Sequence, residues 1–102
     1  QLKVIRHTAP LKKNISKVAV CGGAGSFLTH AALMAGADAF ISADFKYHEF
    51  FEADDRLLIA DIGHYESEIF TSELLAAYLK ENFSTFAVNF SELVTNPISY
   101  LT

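Results

Sequence analysis

Short apolar runs bounded by turn residues or charges constrain the fold of this chain more than any other feature of its sequence. Their lengths predict strands, most of them buried on both faces, at residues 2–5, 18–21, 39–42, 57–60 and 86–90. Helical patterns lie between them, at residues 26–35, which end at Gly36, and at residues 66–82. This alternation predicts a three-layer-like α/β domain, with a mainly parallel or mixed sheet of about five short strands and two or three helices.

The longer predicted helix carries an apolar stripe opposite a polar face. The polar face contains Ser72, Glu73, Lys80 and Glu81. A stripe with this spacing is typical of a helix that packs on a core, so we expect its residues to be buried. The stripe consists of Ile69, Phe70, Leu74, Leu75, Tyr78 and Leu79.

Composition narrows the class of protein. The chain has 102 residues, of which 51% are hydrophobic and nine are Phe, and this suits a single domain over residues 1–102. A net charge of −4 argues against nucleic acid or an anionic membrane as the main partner. Cys21 is the only cysteine, so no disulfide can form within the chain, and we expect a reducing compartment, the cytoplasm.

The segment Asp-Ile-Gly-His-Tyr-Glu-Ser-Glu follows a predicted strand and opens a predicted helix. It puts His64 and Glu68 one helical turn apart on one face. An imidazole and a carboxylate at this spacing can share a divalent cation, or they can form an ordinary contact on the helix surface. Glu66 points away from Glu68 on a regular helix, and its simpler role is to stabilise the start of the helix.

A second segment, Cys-Gly-Gly-Ala-Gly-Ser, joins a predicted strand to a predicted helix. Backbone N–H groups in such a turn can face an anion, which makes Gly22, Gly23, Gly25 and Ser26 candidates for binding a phosphate or a substrate. The alternative is that the glycines allow the helix to pack closely on the sheet and that Ser26 caps it. The spacing matches neither the Walker loop nor the dinucleotide fingerprint.

A third segment, Ser-Ala-Asp-Phe-Lys-Tyr-His-Glu, begins at the end of a predicted strand. Asp44 is a candidate for orienting a ligand, Lys46 for binding a substrate anion and His48 for transferring a proton. Alternatively, these are solvated or structural polar residues. If the strands are parallel, all three segments lie at one edge of the sheet and form one cleft.

Taken in order and spacing, these three segments resemble motifs of the GTP cyclohydrolase I type 2 homologue family, also described as interacting-factor-three-like proteins. The resemblance covers nearly the whole chain and includes the closing segment Thr-Asn-Pro-Ile at residues 95–98. It implies a dinuclear metal site assembled from two halves of a longer protein. His64 and Glu68 match the His-x-x-x-Glu pair of that site, and Asp44 and His48 match segments that border its cleft.

The resemblance also implies cofactors and partners. It implies two divalent metal ions per full-length chain, and imidazole with carboxylate admits Zn, Mn, Fe, Co or Ni. The family's upstream His-His pair and ligand Asp are absent here, and the chain begins at Gln1 inside a predicted strand. We therefore expect the C-terminal part of a two- or three-domain protein, whose partners are its own N-terminal portion and further copies in a ring-like homo-oligomer. Ala43 departs from the family pattern, in which many relatives have Gly.

Three functions fit these features. The first is a metal-dependent hydrolase in which the cations activate a water and His48 or Glu66 transfers a proton. The second is a regulatory or oligomer-assembly module that the metal stabilises without chemistry. The third is a phosphate- or nucleotide-binding domain that uses its glycine turn and needs no metal.

Overall fold

A four-stranded mixed sheet forms the centre of the computed structural model, which describes residues 2–102. The strands are β1 (Arg6–His7), β2 (Val18–Ala24), β3 (Ala39–Ala43) and β4 (Leu58–Asp61), in the order β1-β4-β3-β2. β2, β3 and β4 are parallel, and β1 runs antiparallel to β4. The predicted α/β fold with a mixed sheet is confirmed.

Within residues 2–102, three α-helices and two 3-10 helices accompany the strands, and two of the α-helices follow the last strand. A 3-10 helix (Ser26–Leu28) leads into α1 (Thr29–Met34), and a second 3-10 helix (Tyr47–Ala53) joins β3 to β4. The last two helices are α2 (His64–Glu68) and α3 (Thr71–Asn82). Gly36, with φ +77°, follows α1 in the left-handed conformation that ends many helices, as predicted.

The predicted helix over residues 66–82 is two helices, with a break at Ile69 and Phe70. The Ser72 hydroxyl donates to the carbonyl of Ile69 at 3.2 Å. Such a bond offers the backbone an alternative to the regular helical ladder, which is why serine weakens helix interiors. The prediction of one continuous helix was therefore wrong.

Two predicted strands do not form in the described part of the chain. Residues 2–5 precede β1 without pairing, and residues 83–102 contain no helix or strand. A strand needs a neighbour that satisfies its backbone N–H and C=O groups, and an apolar pattern does not supply one. Only Arg6 and His7 find such a neighbour, opposite Asp61 and Ala60.

The core lies on one face of the sheet. Phe40, Phe45, Leu57 and Ile59 pack there with small residues of α1 and of the second 3-10 helix. β3 is buried on both faces along most of its length, as expected. β2 is not buried on both faces, and Val20 on its other face is 73% exposed. The reason is that α2 covers only the glycine-containing end of that strand.

The apolar stripe, which begins at Ile69 and Phe70 in the break before α3 and continues along α3, is exposed, contrary to the prediction that it belongs to the core. Ala76 is the only buried residue of the helix, and every residue of the stripe is at least 40% exposed. The radius of gyration is 16.6 Å, against about 13 Å for a compact domain of this length. The spacing of the apolar residues is typical of a helix face that packs on other apolar side chains, but residues 2–102 do not supply a surface that covers this face.

Within residues 2–102, no helix combines the length and the apolar character needed to cross a membrane.

Candidate functional site

The parallel strands β3 and β4 bring two loops to one edge of the sheet. Asp44 follows β3 with φ 58°, and Gly63 follows β4 with φ 93° immediately before His64. Both residues have positive φ angles, so the backbone of each loop turns sharply as it leaves the sheet. Ala43 is fully buried and has no positive φ angle, so its backbone does not require a glycine.

His64 lies between two carboxylates. Its Nδ1 atom is 2.5 Å from Asp44 Oδ2, and its Nε2 atom is 3.2 Å from Glu68 Oε2. All three side chains are about half exposed. The hydrogen bond with Asp44 raises the pKa of His64 above its ordinary value, and Glu68 adds to this effect. The structure thus brings the predicted pair together and adds Asp44 to it.

Gly23 makes room for the carboxylate of Glu68. A Cβ atom at Gly23 would lie 2.6 Å from Glu68 Oε1 and 3.3 Å from His64 Cε1, and the residue has φ +70°. Its N–H group donates to Ser67 Oγ at 2.7 Å. A side chain at this position would therefore occupy the space in which Glu68 approaches His64.

The remaining contacts of the glycine turn are those of close packing. A Cβ atom at Gly25 would collide with Ser42 Oγ. Ser26 does not cap the helix that it begins; its side chain, beside Glu49, lowers the pKa of that carboxyl group. These contacts favour the packing interpretation of Gly22, Gly23 and Gly25, and their binding of a phosphate or substrate stays a prediction.

Three other predicted residues lie outside the His64 cluster. Lys46 and His48 are exposed at the second 3-10 helix, where the Lys46 N–H donates to Glu49 Oε1 at 3.3 Å. Glu66 lies on another side of α2 and accepts a hydrogen bond from the Tyr100 hydroxyl at 3.1 Å. Proton transfer by His48 or Glu66 and anion binding by Lys46 stay predictions.

A cleft of about 510 Å³ adjoins the cluster. Asp44, His64 and Glu68 contribute polar groups to its lining, and Ile69 and Pro97 contribute apolar ones. The closing segment that supplies Pro97 therefore lies opposite the carboxylates and imidazole. The cleft combines convergent polar groups with an apolar wall, as ligand sites usually do.

The cluster fits part of a metal site but not a whole one. In the described part of the chain, no three His, Cys, Asp or Glu side chains are arranged to hold one ion. Asp44 and Glu68 approach different ring nitrogens of His64, which point away from each other, so they cannot share an ion with the ring. His64 Nε2 and Glu68 Oε2, however, are 3.2 Å apart, which suits two ligands with bonds of about 2.0–2.2 Å to one cation.

Asp44 fits a supporting role in such a site. A histidine that ligates a metal through one nitrogen usually donates from the other to a carboxylate or carbonyl group. Asp44 stands in that place, beside Nδ1. The residues present therefore fit two ligands and the acceptor that orients one of them.

The sequence interpretation missed Asp61, which is 5% exposed at the end of β4. Its Oδ2 atom accepts from the Phe45 N–H at 3.0 Å, and its Oδ1 atom accepts from the Gly63 N–H at 3.0 Å. Arg6 forms an ion pair with the same carboxylate. The signal that indicates this residue is an acidic side chain ending a buried apolar run, two positions before a glycine turn.

The family is decided by comparison with known proteins. The model of the family described as Duf34/NIF3 (NGG1p interacting factor 3) matches residues 1–97. The chain belongs to this family. The resemblance inferred from the three motifs is thereby confirmed.

The curated and solved proteins that this chain matches are longer than the chain itself. A Campylobacter jejuni protein named GTP cyclohydrolase 1 type 2 homolog is 40% identical over 80 residues, which are 78% of this chain and 32% of that protein. The crystal structure of Staphylococcus aureus protein SA1388 superposes with a TM-score of 0.83 at 28% identity, over 98% of this chain and 30% of that one.

A Bacillus cereus protein related to NIF3 gives a similar result, with a TM-score of 0.82 at 28% identity, over 98% of this chain and 29% of that one. The described chain thus spans about a third of the length of each of these relatives.

Proposed function

We propose that this DUF34/NIF3 chain supplies half of a divalent-metal site in a metal-dependent hydrolase, with His64 and Glu68 as ligands. The observation that carries the proposal is the 3.2 Å separation of His64 Nε2 and Glu68 Oε2 at the mouth of a cleft. Asp44 supports it, because it engages the other ring nitrogen and leaves Nε2 for a cation.

The other ligands are proposed to come from the remaining N-terminal portion of a longer protein. Two ligands bind a cation weakly and leave most of its coordination to water. The chain spans about a third of the length of its relatives, which leaves room for a second half-site. Ile69 lines the cleft and also begins the exposed stripe of α3, so a body that packs on the stripe would also face the cleft.

The chemistry of such a site divides between the cations and the chain. When bound, two divalent ions would polarise a substrate oxygen and lower the pKa of a bound water. Asp44 would hold the His64 ring in one orientation, and Gly23 would leave space for the Glu68 carboxylate. His48 and Glu66 remain the candidates for proton transfer, and His48 is the more accessible because Glu66 is engaged by Tyr100.

Metal analysis of variants tests the proposal. The protein expressed from its complete reading frame is purified as wild type, His64→Ala and Glu68→Ala, and its bound Zn, Mn, Fe, Co and Ni are measured. We expect each variant to lose metal, because each lacks one ligand. His30→Ala is the matched control, since His30 is an exposed histidine on α1. Unchanged metal content in both ligand variants would rule out the half-site.

A second candidate function is a metal-stabilised assembly module without chemistry, within the ring-like homo-oligomer that the resemblance implies and the cytoplasm that the single cysteine predicts. The exposed apolar stripe of α3 favours it, because such a face seeks a protein partner. Sedimentation with and without a chelator, alongside a screen of hydrolase substrates, separates the two functions. Metal-dependent assembly with no turnover favours the module, and turnover that His64→Ala abolishes favours the hydrolase.

A further inference from the structure

We propose that Asp61 is the positioning residue of this half-site: its one buried carboxylate fixes both loops that carry Asp44 and His64. The inference rests on the proposed function, because it concerns the affinity of the same metal site. The hydrogen bonds of Asp61 come from Arg6 and from two backbone N–H groups, so it acts on Asp44 and His64 through the backbone.

Each carboxylate oxygen of Asp61 holds a different loop. Oδ2 accepts from the N–H of Phe45, the residue directly after Asp44, at 3.0 Å. Oδ1 accepts from the N–H of Gly63, the residue directly before His64, at 3.0 Å. The 2.5 Å approach of Asp44 to His64 therefore depends on two loops that one side chain joins.

The loop after β3 needs such support, because a glycine adopts a positive φ angle without strain and an aspartate does not. Asp44 and Gly63 have positive φ angles, 58° and 93°. A left-handed aspartate is disfavoured and persists when its surroundings hold it in place. The bond to Phe45 N–H lies next to this strained residue and provides such a constraint.

Arg6 completes the arrangement from the neighbouring strand. Its guanidinium group pairs with Asp61 Oδ2 and donates to the Phe45 carbonyl at 2.9 Å. Its planar group also lies over the ring of Phe50, 5.3 Å from the centroid. A carboxylate as buried as Asp61 is costly unless it is paired, and Arg6 supplies that pair beside the two backbone bonds.

Asp61→Asn tests the role with little change of size. The amide retains one acceptor oxygen where the carboxylate has two, so one of the loops loses its anchor. We expect metal affinity to fall by about 10–100-fold, as is usual when a group supporting a metal ligand is removed. The measurement is competition of the complete-reading-frame protein against a chromophoric chelator, with Co²⁺ as the probe.

Asp38→Asn is the matched control. Asp38 is also buried and accepts backbone N–H bonds, from Ser16 at 2.9 Å and from Lys17 at 3.0 Å. It precedes β3 and so lies at the opposite edge of the sheet from Asp61. We expect both variants to lose stability, but only Asp61→Asn to weaken Co²⁺ binding and change the visible absorption of the bound ion.

The outcomes separate this inference from the proposed function. If His64→Ala abolishes Co²⁺ binding while Asp61→Asn binds as tightly as Asp38→Asn, the positioning role is overturned and the half-site stands. If His64→Ala binds Co²⁺ as the wild type does, both are overturned. Should Asp61→Asn fail to fold, Arg6→Gln carries the test: we expect weaker binding than in Asp38→Asn, and equal binding would overturn the role.

Discussion

At the scale of single residues, the site depends on Gly23, which has no side chain. Gly23 lies under Glu68 at the point where the carboxylate approaches His64, and its positive φ angle is one that other residues adopt with strain. Two separate requirements, conformation and space, therefore meet at one position. They can be separated experimentally, because another glycine of the chain has only the first.

Gly23→Ala is expected to weaken both folding and metal binding. The left-handed conformation costs an alanine about 1–3 kcal/mol, and the new methyl group displaces the Glu68 carboxylate. Gly36→Ala is the control, because Gly36 has φ +77° while a Cβ there has only Lys17 Nζ nearby, at 3.7 Å. Urea unfolding should show similar losses of stability, and metal titration a loss in Gly23→Ala alone. Equal metal affinity in the two would contradict the role of Gly23.

The lowered pKa of Asp38 predicts how the free energy of unfolding depends on pH. The bond from Lys13, followed by those from the backbone of Ser16 and Lys17, holds the pKa of Asp38 well below its ordinary value. A carboxyl group whose pKa is lower in the folded state stabilises the fold above its unfolded pKa of about 4. This stabilisation is lost as the pH falls below that value toward the folded pKa.

The measurement is the urea midpoint of the wild type and of Asp38→Asn between pH 7 and pH 3. We expect the gap between them to be constant above about pH 5 and to narrow below about pH 4. Asp54→Asn is the control, because Asp54 is exposed and 3.5 Å from Arg56, a surface pair of little energetic weight. A gap that stays constant down to pH 3 would show that Asp38 is not the group responsible.

At the scale of elements, the sequence predicts what depends on local pattern and fails where a neighbour decides. β3 and β4 were predicted within one or two residues, and Gly36 was recognised as the end of a helix. Residues 2–5 and 86–90 have the same apolar character, but no strand lies beside them to pair with. Their failure as strands is a matter of partners, which a local pattern does not contain.

The candidate site shows the same division. The spacing of His64 and Glu68 on a helix was sufficient to predict that they meet. The contact between Asp44 and His64 requires that β3 and β4 be parallel neighbours, and the sequence predicts that contact only on this condition. Asp61 was missed because its role arises from backbone groups 16 and 2 positions away, and no side-chain motif encodes that.

Helix α3 provides a test of what covers its stripe. Leu74→Ala and Leu75→Ala are made in the protein expressed from its complete reading frame, where we expect each to cost about 2–5 kcal/mol, the usual cost at a buried leucine. In the 102-residue chain alone, both side chains are more than half exposed, and a change of within about 0.5 kcal/mol is expected. Urea unfolding measures both, with Val20→Ala as the control at an apolar residue of the sheet.

Small effects in both proteins would show that the stripe stays open to solvent, which would remove one support for a second body over the cleft. Large effects only in the complete-reading-frame protein would identify α3 as a contact surface, either within one polypeptide or between subunits.

At the scale of the whole molecule, the chain is a compact sheet with an extended projection. The core is confined to the sheet, α1 and the second 3-10 helix, whereas α3 lies outside it and residues 96–100 return to α2; the dimensions are 52 × 34 × 23 Å. The cleft lies where the two parts meet, because its lining combines residues of α2 with Asn96, Pro97 and Ile98. The proposed site is therefore at a junction, where a second half-site has access.

The pairing of Arg6 with Asp61 also bears on the order of events during folding. These residues are 55 positions apart in the chain, and closing a segment of that length costs conformational entropy before any contact repays it. Contacts of large sequence separation are characteristically slow to form. We therefore expect the loops beside His64 to reach their final positions after the first strand has docked, so that cation capture follows assembly of the sheet and does not nucleate it.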